Sequence, residues 1–161
     1  MKNVHIVLGA GFGDEGKGNF TNYLCTFATK PIVIRFSGGQ QAGHTVIHNG
    51  LKHVFSNYGS GTLQNIPSYF SEHTCFYLNT MLVEKVELNK KGITPELYIN
   101  PLAKMTTPAD VAFGRLRENM LNHGSCGLGI GSTMTRHETS GYKLYAIDIL
   151  HKDLLYTKLQ N

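Results

Sequence analysis

The chain has 161 residues, 41% of them hydrophobic, with 15 Lys and Arg against 11 Asp and Glu for a net charge of +4, which suits one domain, 1–161, built on a single core. A mild basic excess suits phosphorylated small molecules. With no clustered basic run beyond Asn89-Lys90-Lys91, no apolar run of about 18 residues and only a short apolar start, the chain is expected to carry no nucleic-acid footprint, membrane span or signal peptide.

The first element is the apolar segment Val4–Leu8, predicted to be a strand leaving a sheet into the run GFGDEGKG, Gly11 to Gly18. The spacing GxxxxGK, from Gly11 through Gly16 to Lys17, is that of a loop whose glycines let backbone N–H groups approach phosphate oxygens. Such loops place Ser or Thr after the Lys to hold Mg²⁺; here it is Gly18, so a metal needs another ligand, and Asp14 is the nearest candidate. A carboxylate among phosphates is repelled unless it handles a metal or a proton. The stretch also satisfies GxGxxG (Gly11, Gly13, Gly16), but a dinucleotide site would set Asp14 and Glu15 beside a pyrophosphate, and no acidic residue ends the second strand to hold a ribose. A bare tight turn accounts for the glycines and not for Lys17.

Glu15–Thr29 is predicted to be a helix with Phe20, Leu24 and Phe27 or Ala28 on one face, closed by Lys30-Pro31. Ile32–Phe36 is the second strand, nearly all apolar and expected to be buried on both sides. The stretch FSGGQQAGHTV follows, Phe36 to Val46: Gly38, Gly39 and Gly43 supply flexible backbone, and Gln40, Gln41, His44 and Thr45 supply donors and acceptors. Loops leaving the carboxyl ends of neighbouring parallel strands line one crevice, so Asp14 and His44 are expected to converge there. The alternative for His44 is a surface histidine opening a hairpin, since Thr45–His48, Asn49-Gly50 and Leu51–Phe55 read as strand, type I′ turn and strand.

Further along, Asn79–Lys91 reads as a helix with Leu82, Val86 and Leu88 inward, stopped by Gly92, and Glu96–Ile99 as a short strand. Pro108–His123 reads as a helix with Pro in its first turn, Val111, Leu116, Met120 and Leu121 inward, and Gly124 at its end. Gly124–Gly131, GSCGLGIG, is either a flexible connector or a backbone nest for phosphate. Arg136, His137 and Glu138 are expected on a loop, where Arg136 is suited to bidentate phosphate binding. Leu144–Leu150 is strand or helix, and His151–Leu159 a short helix. Cys25, Cys75 and Cys126, odd in number and far apart, read as reduced thiols without zinc-ligand spacing. The pattern is that of an α/β domain: a mostly parallel central sheet with flanking helices, a P-loop-like nucleotide-binding architecture and a β-hairpin.

GDEGKG followed by GGQQAGHTV resembles the adenylosuccinate synthetase family, GTP-dependent ligases that join L-aspartate to inosine monophosphate (IMP) through a 6-phosphoryl intermediate. The resemblance covers Val4 to about Phe55, with weaker echoes through Gly61 and from Gly129 to Asp153. It implies that Asp14 takes the purine N1 proton and binds Mg²⁺, that the Gly43 carbonyl also ligates Mg²⁺, and that His44 is the general acid at the 6-oxygen. It places Gly13, Asp14, Glu15, Gly16, Lys17, Gly18 and Asn19, with Gly43, His44 and Thr45, at the nucleotide, and Gln41, Ala42, Thr133 and Arg136 at the purine monophosphate. A cytoplasmic homodimer acting on GTP, a purine monophosphate and L-aspartate, without nucleic acid or membrane, is likewise implied.

The chain departs from the family pattern at Gln41, where the family has Asn, at Ser56–Gly61, which replaces Ile-Pro-Ser-Gly, and at Met134, Thr135 and Arg136, which replace glycines. These departures resemble a phage-associated branch that makes 2-aminoadenylosuccinate from dGMP, while Asp14 stands where that branch often has Ser, so the acceptor purine stays open. Family members are more than twice as long, and the part without a counterpart here carries the aspartate-binding loop and the guanine-recognising segment. The chain resembles their N-terminal part. A non-catalytic purine nucleotide-binding module and a plain P-loop hydrolase are the competing expectations.

Overall fold

The structure, a computed structural model, describes residues 3–121 and 124–160. Its central sheet is wholly parallel: β1 (Val33–Gly38) pairs with β4 (Ser68–Phe76), β4 pairs with β5 (Leu97–Ile99), and the far half of β4 pairs with β6 (Lys104–Met105). A separate antiparallel hairpin joins β2 (His44–His48) to β3 (Leu51–Phe55), with Asn49 (φ 47°) and Gly50 (φ 77°) both left-handed, as a type I′ turn requires. The helices are α1 (Lys17–Cys25), α2 (Leu78–Lys90), α3 (Pro108–Leu121), α4 (Ile130–Thr139) and α5 (Lys152–Gln160), with 3₁₀ turns at Thr62–Gln64 and Ala146–Leu150. The α/β class, the parallel sheet and the hairpin therefore stand as expected.

The central strand, β4, had no sequence signal strong enough to announce it. Its Ser-Glu-His-Thr interior breaks the apolar run, yet Ser68 and Phe70 are buried on alternate positions and Thr74, Cys75 and Phe76 consecutively, because the strand's end is covered on both sides. Two apolar clusters flank it. Val46, Phe55, Tyr58, Leu63, Leu88 and Ile93 join the hairpin to α2, and Phe70, Phe76, Ala103, Met105 and Leu144 pack toward the C-terminal segments.

Several expectations of burial are overturned. Val4–Leu8 forms no strand, and Val4, Ile6 and Leu8 are exposed; an extended segment gains neither ladder hydrogen bonds nor cover when no element packs on it. Ile34 and Phe36 in β1 are exposed rather than buried on both sides. On α2, Leu82 and Val86 face solvent while Glu84 and Leu88 are buried. On α3, Leu116, Met120 and Leu121 are exposed, and the predicted end at His123 lies outside the described residues. Arg136, His137 and Glu138 belong to helix α4, not to a loop.

Buried Glu84 shows why polarity can win an interior position. Its carboxylate accepts backbone N–H groups from Ser56, Asn57 (2.7 Å) and Tyr58 and the Asn57 side-chain amide (2.8 Å), fixing the segment that leaves the hairpin through charge-assisted bonds. His137 is a second buried polar group, 5% exposed. The Leu144 N–H donates to its Nε2, and its ring meets Tyr145 edge-on at 4.9 Å. Burial, with Arg136 and Lys104 adding to it, pushes its pKa down to about 4. The fold thus favours neutral His137, so its contribution is complete above the unfolded value near 6.5 and is lost as pH falls toward 4. Urea unfolding is expected to show stability declining by on the order of 2 kcal/mol across that window, with a shallower decline in His137→Phe; identical pH profiles for the two proteins would refute this.

Candidate functional site

The glycine-rich loop is shaped by left-handed backbone at Gly13 (φ 105°), Asp14 (φ 51°) and Gly16 (φ 73°), the last of which caps α1. Asp tolerates this region better than most residues, and the conformation leaves the Asp14 carboxylate exposed, with no hydrogen-bond partner among the described residues. Glu15 behaves differently. Its carboxylate folds back onto the loop, accepts the Gly11 N–H and pairs with the Lys17 ammonium. The Lys17 hydrogen bond first, and the Gly11 N–H next, hold Glu15 below the ordinary carboxylate range. Donors suited to a phosphate are thus already directed at an anion.

Why the residue after Lys17 is glycine becomes clear from its neighbours. A Cβ on Gly18 would lie 2.9 Å from His44 Cβ, 3.3 Å from Ser60 Oγ and 3.4 Å from Val46 Cγ2. The first turn of α1 and the start of β2 are therefore pressed together with no room for the Ser or Thr of an ordinary P-loop, and Asn19 Oδ1 accepts the Ile47 N–H at 3.2 Å beside them. Gly18→Ala must separate α1 from β2, and is expected to cost about 1–3 kcal/mol of stability, as overpacking does; a urea midpoint equal to that of the parent would contradict the close approach.

The second loop is anchored by Arg35, the third residue of β1. Its guanidinium donates to the carbonyls of Gly39 (3.1 Å) and Ser56 and lies 6.0 Å from the Phe70 ring. Gln40 is buried and its amide donates to the Leu128 carbonyl at 2.9 Å, while a Cβ on Gly39 would strike Ile130 Cδ1. The Gly38–Gly43 turn is consequently wedged between Arg35 and the stretch before α4. Gln41, Gly43 and Thr45 are exposed, and Ala42 and His44 are half-buried. Burial first, then the charges of Arg35 and Lys17, lowers the His44 pKa, so His44 senses the Lys17 ammonium across the gap between the loops.

The Gly38–Gly43 turn thus meets the stretch before α4 at Leu128 and Ile130, and the Gly11–Gly18 loop meets the start of β2 where Gly18 approaches His44. Two predicted contacts are engaged inside the protein instead. Thr133 is fully buried in α4, its hydroxyl bonded to Thr106 Oγ1 and the Gly129 carbonyl, both at 2.9 Å. Arg136 donates to both Asp110 oxygens at 2.9 Å and to the carbonyls of Met105 (2.8 Å) and Tyr142 (3.1 Å), leaving its fork spent within the protein. A cavity of about 640 Å³ around Asp110, Arg136 and Tyr142 contains none of the glycine-loop residues. The anchoring by Arg35 was not recognised from sequence, and Gln40, expected as a ligand donor, gives its amide N–H to Leu128 instead; a lone Arg within an apolar strand was the available signal.

Among the described residues no set of three or more His, Cys, Asp or Glu side chains could hold a metal, and no helix is long and apolar enough to cross a membrane. One free carboxylate, Asp14, fits a Mg²⁺ ion that is held chiefly by substrate phosphates rather than by an all-protein cage.

The family described as adenylosuccinate synthetase matches residues 6–161. The curated adenylosuccinate synthetase of Histophilus somni (strain 129Pt) is 34% identical over 162 residues, spanning 97% of this chain and 37% of that protein, and that of Coxiella burnetii (strain RSA 331 / Henzerling II) is 33% identical, spanning 96% and 36%. The chain thus spans little more than a third of the length of these relatives. Among solved structures, the fully ligated adenylosuccinate synthetase from Plasmodium falciparum superposes with TM-score 0.73 at 21% identity, over 96% of this chain and 40% of that one. The cyanophage S-2L succinoaminodeoxyadenylate synthetase bound to dGMP and dATP superposes with TM-score 0.67 at 19% identity, over 88% and 40%.

Proposed function

The chain belongs to the adenylosuccinate synthetase family, and from that premise we propose that it forms the N-terminal part of a ligase that uses GTP and Mg²⁺ to join L-aspartate to a purine nucleoside monophosphate, IMP, in the cytoplasm. The observation that carries the proposal is the contact of Gly18 with His44, which sets the phosphate-type loop and the histidine loop against one another. In this reading Gly13, Gly16, Gly18 and Asn19 line the GTP phosphates, Lys17 pairs with them after leaving Glu15, and Thr45 borders the same nucleotide. Asp14 and the Gly43 carbonyl would hold Mg²⁺ at the phosphates, where the ion would supply charge neutralisation for phosphoryl transfer.

Asp14 removes the proton from purine N1 as the 6-oxygen attacks the γ-phosphorus and GDP departs; the amine of aspartate then displaces phosphate from C6. His44 donates a hydrogen bond to the 6-oxygen. Burial first, then the Arg35 and Lys17 charges, disfavours its charged form, and phosphates drawn beside Lys17 would offset the cationic part of that effect. Gln41 and Ala42 border the monophosphate. Its phosphate is met by the backbone of Gly124–Gly131 rather than by the Thr133 and Arg136 side chains, whose groups are engaged inside the protein. Aspartate binding, guanine recognition and homodimer formation are assigned to the two-thirds of the family length not spanned here.

A second acceptor, dGMP, is favoured by Gln41 in place of the family Asn and by Met134, Thr135 and Arg136 in place of glycines. Phosphate release from GTP by the chain completed with the remaining family segment, with and without aspartate, and with IMP or dGMP, separates these possibilities. Release that needs aspartate and IMP supports the proposal; dependence on dGMP moves it to the second acceptor. GTP turnover indifferent to both aspartate and purine monophosphate would instead make the protein a hydrolase.

A further inference from the structure

Two chemically identical side chains stand next to one another in the second loop, and the fold treats them differently. Gln41 is exposed, while Gln40 is only 4% exposed. The Gln40 amide nitrogen donates to the Leu128 carbonyl at 2.9 Å, across 88 positions of sequence, and its oxygen has no hydrogen-bond partner among the described residues. Stability does not account for this glutamine. One neutral hydrogen bond contributes less than an unpaired buried acceptor costs, so an apolar side chain of the same length would fill the space at least as well.

What the bond does is geometric. Leu128 belongs to the Gly124–Gly131 backbone, which is pressed on α3: a Cβ on Gly129 would lie 2.8 Å from the Val111 nitrogen, and Arg115 Nε donates to the Gly127 carbonyl at 3.3 Å. The Gly38–Gly43 turn is held separately by Arg35, which donates to the Gly39 carbonyl at 3.1 Å. Gln40 ties these two fixed backbones to one another, with Gly39 abutting Ile130 beside it. In the proposed function, on which this inference rests, Gln41 and Ala42 border the monophosphate and the Gly124–Gly131 backbone meets its phosphate. We infer that Gln40 is a positioning residue for that substrate: by tying Leu128 to the turn, its amide sets the spacing between the two walls of the monophosphate seat, and so the approach of the purine to His44, into which the same turn leads. It acts through the two backbones and touches no reacting atom.

The test compares the 161-residue chain with Gln40→Met, which keeps the length of the side chain and removes both its donor and its unpaired oxygen. The urea midpoint should be unchanged or raised, because the lost bond and the removed orphan offset one another. Hydrogen exchange is then followed through a titration with IMP. In the parent, amides of Gly124–Gly131 and of Gln41–Thr45 should slow together, with one half-saturating concentration. In Gln40→Met that concentration should rise by about fivefold, the affinity equivalent of one neutral hydrogen bond, and the slowing in Gln41–Thr45 should lag behind that in Gly124–Gly131 or be lost. Identical titrations in the two proteins would overturn the inference and leave the proposed function standing. A clear fall in the urea midpoint would also overturn it, by making Gln40 a packing residue. IMP that slows neither segment of the parent would count against the proposed function and take this inference with it.

Discussion

Asp14→Asn is expected to lower aspartate-dependent ligation by the completed enzyme by about 10²–10⁴-fold, the range in which a positioned general base contributes, while leaving nucleotide binding within severalfold. Asn is the informative replacement because it tolerates the left-handed backbone that Asp14 adopts (φ 51°), whereas Ala would add local strain to the loss of the carboxylate. The expectation follows from where Asp14 sits. It is exposed at the crest of the loop, and nothing among the described residues occupies its oxygens, in contrast to Glu15, whose carboxylate is turned back onto Gly11 and Lys17. Two adjacent acidic residues are thus separated by backbone geometry into one free group and one engaged group. Turnover unchanged in Asp14→Asn would remove Asp14 from the chemistry.

Arg136→Met is expected to destabilise the fold by about 3–5 kcal/mol, the usual cost of stranding a buried charge. Its partner Asp110 is 5% exposed and also takes the Thr107 N–H (2.8 Å) and hydroxyl (2.9 Å), while its own N–H returns to Thr107 Oγ1, a reciprocal arrangement that caps α3. Burial alone would raise the Asp110 carboxyl; the Arg136 and Thr107 hydrogen bonds outweigh it and hold it below the usual range. The stability tied to that depression is present above the unfolded carboxylate value near 4 and is lost as pH falls through the folded one. Urea unfolding at neutral pH checks the magnitude, and a loss below about 1 kcal/mol would show the pair to be incidental. Replacing both partners by apolar residues should recover part of the loss.

How much of this was legible from sequence depended on whether the signal was local. The hairpin is specified by Asn49-Gly50, because a type I′ turn demands two left-handed residues in succession, and the start of α1 by the glycines before Lys17. The central strand β4 was not legible, since its burial arises from neighbours far along the chain and Ser71, Glu72 and His73 interrupt the strand formers Tyr69, Phe70, Thr74 and Phe76. On α2 and α3 most positions expected inward are exposed, Leu88 being the buried exception, for the same reason: periodicity shows that an apolar stripe exists, and tertiary packing decides whether anything covers it. Exposed Leu116 and Met120 are stripes without a cover here.

Within the site, Gly18 and His44, both carried by motif, lie against one another, whereas Thr133 and Arg136 are engaged inside the protein. Asp14, Lys17, Gly18 and His44 lie in stretches where glycine spacing constrains the backbone. Thr133 and Arg136 were expected on a loop, and a helix turned both inward. Arg35 and Gln40, which hold the second loop, are long-range anchors whose partners at Ser56 and Leu128 no short motif encodes.

The most direct measurement is hydrogen exchange of the 161-residue chain with millimolar GTP, Mg²⁺ and IMP. If one nucleotide site is framed by both loops, amides of Gly11–Asn19 and of Gln41–Thr45 should slow together, and Lys17→Ala should abolish the protection in both segments. Protection confined to one of them, or protection that survives Lys17→Ala, would contradict a shared site.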